Sequence, residues 1–314
     1  MIELHNNIEA LPASAKGCVI AIGNFDGVHA GHRALIAEAG KIARQLGAPL
    51  GALTFEPHPR EFFQKTAAPF RLTLLPMKER LMGDLGVDHL FALAFDEKLA
   101  ALPAQEFIDR ILIGYAGARH IVVGADFAFG KGRAGTADTL REAAAAGGFG
   151  VTILQPVCCA DSEAFSSSRI RALLAEGKFH AAAALLGRPW EIEAEVVHGD
   201  KRGRDLGYPT ANQRVTRYLR PPYGVYAVRV LIEGETTWRE GAANFGIRPM
   251  FRIEEPIFET FILDFAGDIY GKMMRVRPIS HLRPEMAFEG LEPLKERIKQ
   301  DCVAARAVLK STGL

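Results

Sequence analysis

The sequence predicts an α/β domain built on a parallel sheet, followed by a small antiparallel β-barrel and a closing C-terminal helix. Three observations predict it. Strand-like and helix-like segments alternate through the first part of the chain, the pattern of a parallel sheet covered by helices on both faces. After Gly187-Arg188-Pro189 the runs turn strand-like and follow one another between Gly and Pro signals, as in a small barrel. The last stretch, 292–309, is amphipathic at helical spacing.

Taken in order, residues 18–23 (CVIAIG) are a short apolar run and read as a buried strand. Residues 34–46 follow as a helix, because Leu35, Ile36, Ala39, Ile42, Ala43 and Leu46 share one face and Gly47 stands where helices commonly end. Residues 50–55, 89–95, 119–124 and 151–155 are further strands. Between them 103–115 and 136–146 read as helices, with Pro103 near one start and Thr136 capping the other. Two more helices are expected over 166–174 and 179–186. Gly187 then divides a domain over 1–187 from one over 188–314, whose strands fall at 192–197, 223–232, 258–265 and 272–278.

Composition sets the limits. The chain has 314 residues, 48% hydrophobic and 24% charged, enough for two domains with ordinary cores. A net charge of +1 argues against a surface devoted to coating nucleic acid. Residues 1–15 carry Glu3 and Glu9 without an apolar centre, so no signal peptide is expected, and no apolar run is long enough to span a bilayer. Four cysteines, with Cys158 and Cys159 adjacent and no Cys-x-x-Cys, make neither a disulfide framework nor a zinc site. A reduced, cytoplasmic enzyme of small molecules is the expectation, without nucleic-acid or membrane partners; oligomeric state is left open.

The strand at 18–23 runs through Asn24-Phe25-Asp26-Gly27-Val28-His29-Ala30-Gly31-His32 into a helix. A strand ending in a Gly-containing turn at a helix N-terminus presents backbone N–H groups and a positive dipole end to an anion. His29 and His32 add donors, and Gly31 permits close approach of a nucleotide. Such a site suits attack of one phosphate on the α-phosphate of ATP, where the attacker is already an anion and the work is positioning and charge stabilisation.

Gly23–His32 (GNFDGVHAGH) resembles the signature of the HxGH nucleotidyltransferases in their FAD synthetase form, a Rossmann-like domain. Ser166-Ser167-Ser168-Arg169-Ile170-Arg171 resembles that superfamily's ISSTxIR element, and the stretches 54–59 and 123–130 fit as well. The resemblance implies ATP binding by Gly23, Asn24, Phe25, Asp26, Gly31, Asp126, Ser166, Ser167, Ser168 and Arg171. It implies catalysis by His29 and His32, and flavin contacts from Phe55, Pro57, Phe127 and Phe129. Ala128 stands where the family usually has Arg.

The second half carries Gly199-Asp200-Lys201-Arg202-Gly203-Arg204-Asp205-Leu206-Gly207-Tyr208-Pro209-Thr210-Ala211-Asn212, a flexible basic loop able to wrap phosphates. Thr210 and Asn212 offer the hard oxygens Mg²⁺ prefers. Phosphorylating a neutral hydroxyl calls for a carboxylate base, and Glu259 sits among apolar strand residues. This set resembles the riboflavin kinase pattern GxxRGRxLGFPTAN. It implies Gly199, Arg204, Gly207, Thr210 and Asn212 on ATP, Thr210 and Asn212 on Mg²⁺, Glu259 as general base, and Arg283 and Glu285 on the flavin. Phe245, Met250 and Thr260-Phe261 depart from the family's usual residues. The joint expectation is a bifunctional riboflavin kinase/FMN adenylyltransferase using ATP and Mg²⁺, with riboflavin, FMN and FAD as substrates and products. An adenylyltransferase for another phosphate and a nucleic-acid-binding barrel are the rival readings.

Overall fold

The structure is a computed structural model that describes residues 1–7, 10–65, 68–157, 165–199, 207–248 and 253–312, with the backbone alone at 248 and 253–255. Arg204, Lys201, Arg202, Met250, Cys158 and Cys159 lie outside the described residues. The chain forms two compact units, Met1–Ala67 with Leu74–Ser166, and Ala68–Thr73 with Ser167–Leu314.

In the first unit, strands β1 (Glu3–His5), β2 (Val19–Ile22), β3 (Leu50–Glu56), β4 (His89–Ala94), β5 (His120–Gly124) and β8 (Gly150–Leu154) make one parallel sheet in the order β1-β4-β3-β2-β5-β8, and β6 (Ala128–Phe129) pairs with β7 (Gly135–Thr136) as a separate antiparallel ribbon. The apolar runs are continuous because both faces are covered. Val19 and Ala21 pack under helix α1 (Ala30–Leu46) with Leu35, Ile36, Ala39 and Ala43. Ile20 and Ile22 face the opposite layer with Leu53, Phe55, Phe107, Ile108 and Leu112. From β2 the chain builds outward through β3 and β4, then returns to place β5 on the other flank of β2. The strand order therefore reverses between β2 and β5, and ligands of such sheets bind beyond the carboxyl ends of the strands at that point.

Local chemistry accounts for where these elements start and stop. Helix α1 begins at Ala30 rather than 34 because His29 caps it, and it ends at Gly47 in the left-handed region, φ 58°. Thr136 caps the helix Ala137–Gly147 as its position predicts. The segment 103–115, expected as one helix, is a short turn Ala104–Glu106 running into a π-helix, Phe107–Tyr115. Gly114 permits the wider coil, since a Cβ there would lie 3.0 Å from the Asp109 carbonyl oxygen. Strand β1 and the helix Leu75–Gly83 were not expected.

In the second unit, β9 (Ile192–Val197), β10 (Ala211–Arg214), β11 (Gly224–Ile232), β12 (Arg239–Arg248), β13 (Ile253–Ile262) and β14 (Met273–Arg283) close an antiparallel barrel in the order β10-β13-β12-β11-β14-β9. Tyr226, Val228, Phe245, Phe258, Met274 and Val276 are among its fully buried side chains. Gln213, also buried, donates to the Ala194 and Met274 carbonyls at 2.6 and 2.7 Å. The C-terminal helix, Leu291–Ser311, packs Ala305 and Leu309 on Ala227 and Ala242, whose small side chains admit it closely. Strands β10 and β12 escaped the sequence reading because Asn212, Gln213, Glu240, Asn244 and two glycines break their apolar pattern. Part of the chain from the first half also belongs here: the Trp190 indole donates to the Leu72 carbonyl at 3.0 Å, and Leu219 N–H to the Arg71 carbonyl at 2.9 Å.

Candidate active sites

The turn after β2 is held from below. The Asn24 carbonyl accepts hydrogen bonds from Thr54 Oγ1 at 3.1 Å and Lys78 Nζ at 2.9 Å, and Lys78 also donates to Thr54 Oγ1 at 3.0 Å. Lys78 is fully buried. In a trans peptide the C=O and the following N–H point in opposite directions. Fixing the Asn24 carbonyl inward therefore turns the Phe25 N–H the other way. Phe25 and Val28 adopt the left-handed region, φ 49° and 43°, an uncommon state for non-glycine residues that the buried Phe25 ring anchors. Asp26 is buried as well.

His29 Nδ1 accepts from the His32 backbone N–H at 3.4 Å, capping α1. That acceptance puts the proton of a neutral His29 ring on Nε2, a donor for an anion. The two imidazoles stack with centroids 3.6 Å apart, and Phe25 meets His32 edge-on at 5.2 Å. Gly31 makes this packing possible: a Cβ there would sit 3.2 Å from His29 Cε1 and 3.4 Å from Phe165 Cβ. The exposed turn carrying Asp126 follows β5, the neighbour of β2, so sheet pairing brings both turns to the same edge. Gly23 opens the first of these turns, and Ser166 ends the first unit half-buried.

The aromatic candidates divide by burial. Phe55 and Phe129 are core residues, packed against Phe95 and Phe107, whereas Phe127 stacks on Phe129 at 5.4 Å and stays partly exposed. Pro57 is exposed beyond β3. Ser167, Ser168 and Arg171 open the second unit, where Arg171 Nε donates to the Phe70 carbonyl at 2.9 Å.

On the barrel, register creates a polar row. Asn212 of β10 lies opposite Glu259 of β13, and Glu259 lies opposite Asn244 of β12 on its other side. Directly opposed residues of antiparallel strands share a face. Phe258 and Thr260 are buried within, whereas Glu259 and Asn244 are half-buried on the alternate face, so Glu259 is not a charge sunk in the apolar core. The Asn212 amide donates to the Thr210 carbonyl at 3.2 Å, and Gly199 leaves space for it: a Cβ there would meet Asn212 Nδ2 at 2.5 Å. Tyr208 meets the Phe261 ring edge-on at 5.2 Å. Gly207 is exposed at φ 84°. The Glu285 carboxylate lies over Gly246, which has no Cβ to obstruct it. Arg283 Nη2 pairs with Asp301 Oδ2 at 2.6 Å.

A model of the FAD synthetase family matches residues 11–169, and one of the riboflavin kinase family matches residues 186–309. A bifunctional riboflavin kinase/FMN adenylyltransferase from Pseudomonas fluorescens is 43% identical over 308 residues, 98% of either chain. The chain belongs to the bifunctional riboflavin kinase/FMN adenylyltransferase family. A relative of the same description from Escherichia coli K12 is 41% identical, covering 94% of this chain and 93% of its own. A crystal structure described as a macrolide-efflux protein from Streptococcus pneumoniae shares the fold at a TM-score of 0.81 and 32% identity, covering 97% and 98% of the two chains. Among the described residues no helix is long and apolar enough to cross a membrane.

As in its family, the chain carries the nucleotidyltransferase half first and the kinase half second. Lys78, Thr54 and Asn244 were not among the expected site residues. Lys78 carries a signal: it falls at the helical spacing of Leu81 and Met82, on the apolar face of its helix, where a charge needs partners.

Proposed function

We propose that the chain phosphorylates riboflavin on its barrel unit and transfers AMP from ATP to the resulting FMN on its sheet unit, giving FAD and pyrophosphate. The observation that carries the kinase half is Glu259 flanked by Asn212 and Asn244 across three paired strands. Glu259 takes the proton of riboflavin's primary hydroxyl, the oxygen attacks the γ-phosphorus of ATP, and ADP leaves. Asn212 and Asn244, on either side of the carboxylate, orient the reacting groups. The glycine-rich loop with Gly199, Arg204 and Gly207 wraps the phosphates, while Arg283 and Glu285 border the flavin.

Thr210 and Asn212 hold Mg²⁺ in this reading. The donor set is oxygen, and the Cβ-free cradle at Gly199 accommodates the Asn212 amide, which fits a hard cation. When bound, Mg²⁺ supplies charge neutralisation on the nucleotide phosphates.

In the adenylyl step a phosphate oxygen of FMN attacks the α-phosphorus of ATP and the bond to pyrophosphate breaks. FMN needs no base, so the residues position and stabilise charge. Gly23, Asn24, Phe25, Asp26 and Gly31 shape the turn, and His29 and His32 donate to the reacting phosphoryl group. Asp126 and Ser166 complete the ATP contacts of this unit. Phe127, with Pro57, offers flavin surface, and Phe55 and Phe129 support it from the core.

The free Cys18 and Cys302, whose thiols burial pushes up to about 12 and about 11, away from the reactive thiolate, support the reading of a cytoplasmic enzyme. The test is a time course of flavins separated by chromatography after mixing protein, riboflavin, ATP and Mg²⁺. FMN appears first and FAD follows; no flavin product would refute the reading.

A further inference from the structure

At the outer edge of the parallel sheet, β1 places Glu3 and His5 two residues apart, so both side chains project from the same face. Strand β1 pairs in parallel with β4, with Glu3 in register with His89 and His5 with Phe91. Three ligand-bearing side chains converge there. His5 Nε2 and His89 Nδ1 are 3.1 Å apart, Glu3 Oε2 is 3.5 Å from His89 Nδ1, and Glu3 Oε2 is 3.9 Å from His5 Nε2. His89 is buried, His5 half-buried and Glu3 exposed, so the cluster has an inner wall and an open side. Phe91 backs both imidazoles, with ring centroids 5.4 Å from His5 and 6.4 Å from His89.

These separations match a coordination triangle. Zinc binds imidazole nitrogen at about 2.0–2.1 Å and carboxylate oxygen at about 2.0–2.2 Å, so two donors at a tetrahedral angle lie about 3.3–3.5 Å apart. The three separations bracket that value. Two imidazoles and a carboxylate are also a donor set that suits zinc-class transition ions rather than Mg²⁺.

We propose that Glu3, His5 and His89 form a binding site for a divalent transition-metal ion of the zinc class, with a further coordination position open toward solvent. The ion bridges β1 and β4. Strand β1 is only three residues long and lies at the sheet edge, so a bridge of this kind fixes an element with few ladder bonds of its own. Both β4 and β3 separate β1 from β2 and its nucleotide-binding turn. The site is therefore distinct from the place where ATP is expected, and the proposal does not rest on the flavin chemistry.

The test uses the full-length, untagged protein, stripped with a chelator that is then removed, without nucleotide. It is titrated with Co²⁺ and followed in the visible region, then challenged with Zn²⁺. The expected result is one equivalent of Co²⁺ giving an absorption band that Zn²⁺ discharges, together with a rise in Tm on adding Zn²⁺ that the chelator reverses. His5→Ala with His89→Ala removes the band. Glu3→Gln, at an exposed position that leaves the fold intact, weakens Co²⁺ binding at least tenfold. Absence of a stoichiometric band in the parent protein overturns the proposal. So does a band of unchanged strength and affinity in the double variant or in Glu3→Gln, which would mean adventitious binding elsewhere.

Discussion

Asn212 and Glu259 stand directly opposite each other where β10 pairs with β13, on the face of the barrel wall turned away from the buried Phe258. They are far apart in sequence, and the register of two strands makes them neighbours. Asn244 completes the row from β12. In the proposed kinase reaction the carboxylate, set between two amides on a closed barrel, is pre-organised to accept a proton.

Gly199 tests that row. Its backbone does not need the left-handed region, so alanine is tolerated by the chain, yet the new Cβ would lie 2.5 Å from Asn212 Nδ2. Displacement of the amide by even 1 Å lowers riboflavin phosphorylation by about a hundredfold. Conversion of FMN to FAD and the unfolding midpoint stay near those of the parent. Steady-state rates of both half-reactions check this; an unchanged kinase rate would remove Asn212 from the reaction.

Lys78 tests the first site. Lys78→Met withdraws a charged donor from the Asn24 carbonyl and the Thr54 hydroxyl. Hydrogen bonds to charged groups contribute about 1.5–3 kcal/mol, so FAD formation falls about ten- to a hundredfold in kcat. Riboflavin phosphorylation is the internal control and is retained. Lys78→Arg, which keeps the charge, recovers part of the loss. Equal loss of both activities would point to folding instead of the turn.

Glu191 sets the acid limit of the barrel. Its side chain is 1% exposed, and burial alone pushes its carboxyl up, but hydrogen bonds and charge from Arg275 and Arg277 outweigh that and hold it at about 2. The folded value is depressed below the unfolded one of about 4.3, so the stabilisation is present above that range and is lost as pH falls through it toward 2. Glu191→Gln leaves two guanidinium groups without their carboxylate and costs about 3 kcal/mol at pH 7, and it flattens the acid dependence. Both tryptophans, Trp190 and Trp238, lie in the second unit, and Trp238 stacks on Arg277 at 3.6 Å. Urea unfolding followed by their fluorescence at pH 7 and pH 3 reads the effect. A variant with the parent's pH profile would show that Glu191 is not the group responsible.

Local features of the fold were legible in the sequence and features set by register were not. The strand, turn and helix around His29 and His32 follow from a contiguous stretch with a cap and an apolar face, and the structure has them there. Glu259 stood out in the sequence because a carboxylate in an apolar strand calls for a reason. Its neighbours Asn212 and Asn244 could not be placed beside it, because β10 and β12 are too polar and glycine-rich to read as strands. Lys78 was hidden in an ordinary amphipathic helix, and its role depends on carbonyl and hydroxyl partners supplied by other elements. Arg71 makes an isolated parallel bridge with Tyr218, a long-range contact that no periodicity announces.

Two separate reactions on one chain can be told apart by one crossed experiment. Purified Glu259→Ala and His32→Ala proteins are each assayed for riboflavin to FMN and for FMN to FAD. Glu259→Ala is expected to abolish FMN formation and leave FAD formation from supplied FMN intact, and His32→Ala to do the reverse. Loss of both activities in either variant, or loss of riboflavin phosphorylation in His32→Ala, would contradict it.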